Sequence, residues 1–135
     1  MGDLQRFVDA QERVIARVRD ELKAGAKKSH WMWFIFPQIA GLGRSETARR
    51  YAIGTIEEAR AYAAHPVLGP RLRECVKLAA AHQGRSAEAI FGHPDDLKFR
   101  SSLTLFWRAT GDAVFRQALD RFYNGEDDPE TVKRI

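Results

Sequence analysis

A single cysteine, Cys75, stands among the 135 residues, so no disulfide can form within the chain and a reducing compartment suits it. Long apolar runs are also missing. The longest strictly apolar stretch is Trp31 to Phe36, far short of the roughly 20 residues that cross a bilayer. The opening residues have no apolar signal-peptide core. The four histidines, His30, His65, His82 and His93, show no metal-ligand spacing, and the lone cysteine adds none. No metal or other cofactor is therefore expected. Gly41-Leu42-Gly43 is too short for a dinucleotide fingerprint and follows no predicted strand. Internal repeats, low-complexity tracts and interior linkers are absent too. These absences exclude a membrane-spanning or disulfide-stapled protein and lead to the expectation of a cytoplasmic chain.

What is present is an ordinary globular composition, 44% apolar with a net charge of +4. That length is one domain by the usual prior. The positive charges are mostly interleaved with carboxylates. Only Lys27-Lys28 and Arg49-Arg50 are adjacent basic pairs, so a solvated surface and a basic rim around a phosphate-bearing ligand both fit.

Periodicity predicts an all-α, compact, multihelical domain of about seven helices over residues 1–125, followed by a weakly structured tail at 126–135. Leu4, Phe7, Val8, Val14, Ile15, Val18 and Leu22 fall within an arc of roughly 120° and predict one long helix from Asp3 to Ala24. Gln11 lies inside that arc, where an unpaired amide costs roughly 1–3 kcal/mol, so it is expected to bond a buried group. Ser29 is placed to cap a short helix through the aromatic run, stopped at Pro37. Trp, Phe and Ile also favour strands, but no partner strand is visible. Further helices are expected from Ser45 towards Gly54, from Thr55 with Glu58 at capping-box spacing to Ala64, and from the Pro66–Pro70 turn to near His82. Ser86 opens a short helix ended by Gly92, Pro94 opens a long one, and Asp112 starts another closed by Asn124-Gly125.

Two runs carry candidate chemistry. In Ser29 to Ser45, two of the three tryptophans and two phenylalanines are flanked by His30 and Gln38. Such rings build a core, and they also make walls on which a flat ligand stacks, here Trp31 or Trp33. Gly41 and Gly43 read as a turn; free amides after it, beside Arg44 and Ser45, suit an anion. The second run is Pro94 to Ser102. Asp95, Lys98 and Ser102 share one helical face by their spacing. Asp95 and Asp96 read either as solvated carboxylates at a helix start or as a general base or ribose-hydroxyl acceptor, with Lys98 or Arg100 facing a phosphate. His30 has an unperturbed pKa suited to proton transfer if it lines a pocket. Cys75 lies on an apolar helix face and reads as an inert thiol.

The run Ser29 to Gly43, the Pro66-Val67-Leu68-Gly69 corner with Arg71-Leu72, and the run Phe91-Gly92 to Leu105-Phe106 resemble the domain-of-unknown-function family 1810, from about Leu4 to Asp120. The resemblance implies a compact, mostly α-helical cytoplasmic protein and carries no established activity. Some relatives bear the label calpastatin; that inhibitor is a disordered protein, and this globular composition excludes its function. A weaker resemblance, in helical architecture only, is to the superfamily that acts on ADP-ribose derivatives, and it implies nucleotide binding or N-glycosidic hydrolysis.

Three expectations follow. The first is a small-molecule site for a nucleotide-like or phosphorylated ligand, with His30, Gln38, Asp95, Lys98 and Ser102 around one cavity and a tryptophan in its wall. In its enzymatic form, His30, Asp95 and Asp96 catalyse hydrolysis of a nucleotide or ADP-ribose derivative. The second is a nucleic-acid-binding module built on a continuous arginine face. The third is a structural or partner-binding helical protein in which the aromatics are simply core.

Overall fold

Ten helices occupy residues 3–135, the residues described in this computed structural model: α1 (Gln5–Glu12), α2 (Ile15–Ala24), α3 (Met32–Ile35), α4 (Glu46–Arg50), α5 (Ile56–Ala64), α6 (Leu68–Ala80), α7 (Ala87–Phe91), α8 (Asp95–Thr110), α9 (Ala113–Tyr123) and α10 (Pro129–Lys133). No strand occurs among the described residues; Ile39 and Ile53 form one isolated parallel bridge. The all-α expectation holds, with ten helices rather than about seven. The excess comes from short one-turn pieces and from a broken first helix. No helix among the described residues is long and apolar enough to cross a membrane.

α8 is the central element, touching α3, α5, α7, α9 and α10. Its residues Ser101 to Phe106 are all buried, which requires neighbours on every side. Aromatic rings fill the space between helices. Phe99 meets Phe91 and Phe36 at centroid distances of 4.5 and 4.8 Å, and Tyr62 joins Phe7 to Phe106 at 5.1 and 5.3 Å. α5 and α6 approach so closely that a Cβ on Gly69 would collide with the Ala63 carbonyl. The α6 start is held by His65, whose Nδ1 accepts from the Val67 and Leu68 amides at 3.1 and 3.2 Å.

The expected helix from Asp3 to Ala24 is two helices. At Val14 the backbone leaves the helical region (φ −129°, ψ −9°), and its amide reaches back only three residues, to the Gln11 carbonyl. Gln11 lies just before the break. Its amide nitrogen donates to the Phe34 carbonyl (2.8 Å) and the Tyr62 hydroxyl (2.9 Å), and its oxygen accepts from Arg71 (3.4 Å). The Gln11 side chain is therefore saturated inside the protein and ties α1 to the aromatic segment.

Glu21 on α2 holds the other end of that segment. Its carboxylate is 9% exposed and accepts from the Lys28 amide (2.7 Å), the Ser29 amide (3.1 Å), the Trp31 indole (2.9 Å) and the Ser29 hydroxyl. Ser29 thus does not cap α3 as its position suggested; its hydroxyl is spent on Glu21, and Trp31 occupies the N-cap. The tail is likewise not weakly structured. Asp128 caps α10 by accepting from the Thr131 amide (3.1 Å), and Thr131 is fully buried. Arg100 donates to the Glu126 and Asp127 carbonyls at 3.0 and 2.8 Å, fastening the tail to α8.

Burial alone would raise the Glu21 carboxyl, but the hydrogen bonds from Ser29, Lys28 and Trp31 outweigh it and hold the group at about 2. A depressed carboxyl contributes stability in full above its unfolded value near 4.5 and loses it as pH falls towards 2. Glu21→Gln is expected to cost about 2–3 kcal/mol at pH 7, read by urea unfolding, because charge-assisted hydrogen bonds are replaced by weaker ones. The gap between variant and parent narrows between pH 4.5 and 2; a gap independent of pH contradicts the assignment.

Candidate functional site

The aromatic segment divides into an inner and an outer side. Trp31, Ile35 and Phe36 are core residues, whereas Trp33 and Phe34 are half-buried. After Pro37 the chain runs extended. The Ile53 amide donates to the Gln38 carbonyl and the Ala40 amide to the Ile53 carbonyl, both at 2.8 Å. Gly41 then turns the chain at φ 99°, a conformation other residues rarely adopt, and Gly43 sits where any Cβ would collide with that of Ala48. Ser45 caps α4, its hydroxyl accepting from the Ala48 amide at 3.1 Å.

Two adjoining compartments result, sharing Trp33, Gln38 and Gly43. The more enclosed one, about 120 Å³, is completed by Ile39, Gly41, Ala48 and Tyr51, with Arg49 at its lip. The more open one, about 240 Å³, is completed by Lys98, Ser101, Asp128 and Glu130, with Leu97 alongside. Gln38 is half-buried between them, and its side-chain amide makes no hydrogen bond to another described residue.

The aromatic segment and the start of α8 do meet, but through an ionic chain. Asp95 pairs with Lys27 at 2.8 Å and with Lys98 at 3.0 Å, and the Lys98 ammonium lies 3.9 Å from the Trp33 ring centroid. Burial works to raise the Asp95 carboxyl, yet the two lysines hold it below its usual range. Both oxygens are engaged by ammonium groups, so Asp95 ties the start of α8 to Lys27 and to Lys98.

Other expected site residues fall elsewhere. His30 is exposed and lines neither compartment. Asp96 bonds His93 Nδ1 at 3.0 Å. Ser102 is buried with an unpartnered hydroxyl and lines neither compartment; its neighbour Ser101 takes that place, 3.0 Å from Asp128 Oδ2. Trp31 is core, Gln11 is saturated within the protein, and Arg100 is committed to the tail. Arg44 is exposed and Ser45 is a helix cap. Trp33, Gln38, Gly41, Gly43 and Lys98 are the expected residues that the compartments gather.

Tyr51, Asp128 and Glu130 were not among the expected site residues, and Arg49 stood out only as half of a basic pair; Asp128 left a local signal in its cap spacing to Thr131. The sequence also concealed a surface trio, Glu88, His93 and Asp96, with ligand atoms within 4.8 Å of one another; two of the three are exposed, and His93 already bonds Asp96. Burial pushes the Cys75 thiol up to about 12, which keeps it an unreactive thiol.

The geometry defines an all-α domain with a half-buried amide and an indole facing paired clefts. By its sequence the chain belongs to the family described as protein of unknown function (DUF1810), whose match covers residues 1–135. It is similar to the conserved hypothetical protein Rv1873 from Mycobacterium tuberculosis, solved by crystallography at 1.38 Å. The two are 55% identical over 97% of this chain and 94% of that one, with a TM-score of 0.96. No curated protein matches the chain.

Because Asp95 neutralises Lys27, whose side chain is only 8% exposed, Asp95→Asn is expected to destabilise the fold by roughly 1–3 kcal/mol in denaturant unfolding. A fully stable Asp95→Asn protein contradicts the structural role.

Proposed function

We propose that this protein binds a small planar molecule, of the size of the ring system of a nucleotide-like ligand, in the compartments beside Trp33. The observation that carries the reading is Gln38: a half-buried amide with no protein partner, set between two clefts that share an indole wall. The amide is free to bond a ligand without first breaking a protein contact, and a ring with edge donors and acceptors matches it. Stacking on Trp33 supplies the affinity, and Lys98 beneath the same indole keeps the ring fixed. Both compartments are smaller than the roughly 300–1,000 Å³ of drug-sized sites, which favours a single ring system over a whole ADP-ribose. Binding, and not N-glycosidic hydrolysis, is the better-supported role, since Asp95 and Asp96 are engaged and His30 stands apart.

The nucleic-acid reading draws no comparable support. Arg19 is paired with Glu74, Arg71 with Glu12 and Arg6 is 4.0 Å from Glu58, so several of the nearby arginines are already held by carboxylates. The protein is expected to pass through a DNA or RNA affinity column at low salt; firm, salt-sensitive retention would restore that alternative.

Screening nucleobases, nucleosides and pyridines by thermal shift tests the proposal, because a ligand that binds the native state raises the melting temperature with concentration. Binding also alters tryptophan fluorescence. Trp33→Ala is expected to weaken affinity roughly tenfold or more, since stacking a base on an aromatic is worth about 1–3 kcal/mol. No shift with any ring compound at millimolar concentration sinks the reading.

A further inference from the structure

Resting on that binding reading, we infer that the ligand bears an anionic group next to its ring and that Arg49 receives it. The charges around the compartments carry the argument. Lys98 pairs with Asp95 at 3.0 Å, a carboxylate it shares with Lys27. Glu130 is held between Lys133 and Arg134, each at 3.1 Å. Asp128 accepts from the Thr131 amide and hydroxyl and from Ser101. Arg49 alone among the charged lining groups has no carboxylate within 4.0 Å and no side-chain hydrogen bond to a described residue. Arg44, on the neighbouring turn, is also without a carboxylate partner among the described residues, and the Gly41, Leu42 and Gly43 amides donate to no backbone carbonyl. Arg49 is thus the basic lining group with no ionic partner among the described residues.

A guanidinium in open water needs no partner. Arg49 differs because it borders a compartment whose walls are mostly apolar, Trp33, Ile39, Ala48 and Tyr51. A ring seated there removes water from beside the guanidinium, and charge interactions strengthen in that drier setting. An oxyanion on the ring replaces the lost hydration and matches the planar fork of arginine with two parallel hydrogen bonds. Size narrows the class further. The volume of about 120 Å³ is near the 150 Å³ cavity that takes benzene, so one ring fills it and the anion lies outside, where Arg49 can reach it. Carboxylate and phosphate share this chemistry.

Matched pairs separate them: nicotinate against its neutral isostere nicotinamide, and uridine monophosphate against uridine, with inorganic phosphate alone as a further arm. Each is titrated calorimetrically into the full chain and into Arg49→Gln, whose folding is checked by circular dichroism; Arg49 has no described protein partner to lose. The anionic member of at least one pair is expected to bind about tenfold tighter than its neutral partner. Arg49→Gln should remove that advantage, weakening the anionic compound more than its neutral partner. The pair that shows the effect identifies carboxylate or phosphate. Equal binding of both members, or an advantage that survives Arg49→Gln, overturns the inference while leaving the binding reading intact. Phosphate alone binding as tightly as the nucleotide overturns the requirement for a ring. If no member of either pair binds, the binding reading falls with it.

Discussion

A carboxylate withdrawn from water is costly unless every lone pair finds a donor, and Glu21 finds its donors in the loop that follows its own helix. The Lys28 and Ser29 amides and the Trp31 indole converge on it, so the chain from Gly25 onwards has little freedom in how it enters the aromatic segment. Gln11 performs the same service further along, reaching the Phe34 carbonyl from α1. Between these anchors the rotation of α3 is fixed. Trp31 and Ile35 must face the core, and Trp33 must face outwards. The candidate site is a consequence of that rotation: had the segment turned by one residue, Trp33 would be core and no indole would face the clefts.

The same anchoring explains why the carboxylate at the start of α8 is structural. Lys27 precedes the Glu21-bound loop and is nearly buried, so it needs a counter-charge close by. Asp95 supplies it and, on its other oxygen, steadies Lys98 beneath the Trp33 indole. The ionic chain therefore joins core and cleft, two ammonium groups sharing one carboxylate. Arg49, at the other compartment, stands on a helix whose position depends on the absence of a side chain at Gly43. For a family described only as of unknown function, this contrast between a paired Lys98 and an unpartnered Arg49 is the feature from which a role can be read.

Features set by neighbours in sequence were legible before the structure. Ser45, Thr55 and Ser86 cap helices because each hydroxyl meets an amide three residues on, and that spacing is local. The capping box at Thr55 is displaced only slightly: Glu58 accepts from the Gly54 amide and not from Thr55. Gln11 stood out as a polar residue on an apolar stripe that needed buried partners, and it has them in the Phe34 carbonyl and the Tyr62 hydroxyl. Features set by distant residues were not legible. The Tyr62 partner of Gln11 lies fifty-one positions along the chain, and the claim of Glu21 on the Ser29 hydroxyl defeats an otherwise reasonable cap. Asp95 looked available because Lys27, sixty-eight positions away in sequence (95 − 27), could not be seen as its partner. The α10 helix escaped because most of its support comes from Ser101, Thr104, Arg100 and Arg108 on α8.

The central claim is that the two anchors split the aromatic segment into a locked inner face and an open outer one. Native-state hydrogen exchange of the tryptophan indoles, followed by nitrogen-15 NMR, tests it directly. The Trp31 indole, bonded to Glu21 and fully buried, should exchange only through near-global unfolding, whereas the half-buried Trp33 indole should exchange by small local openings. Equal protection of the two indoles, or rapid exchange at Trp31, would contradict the account.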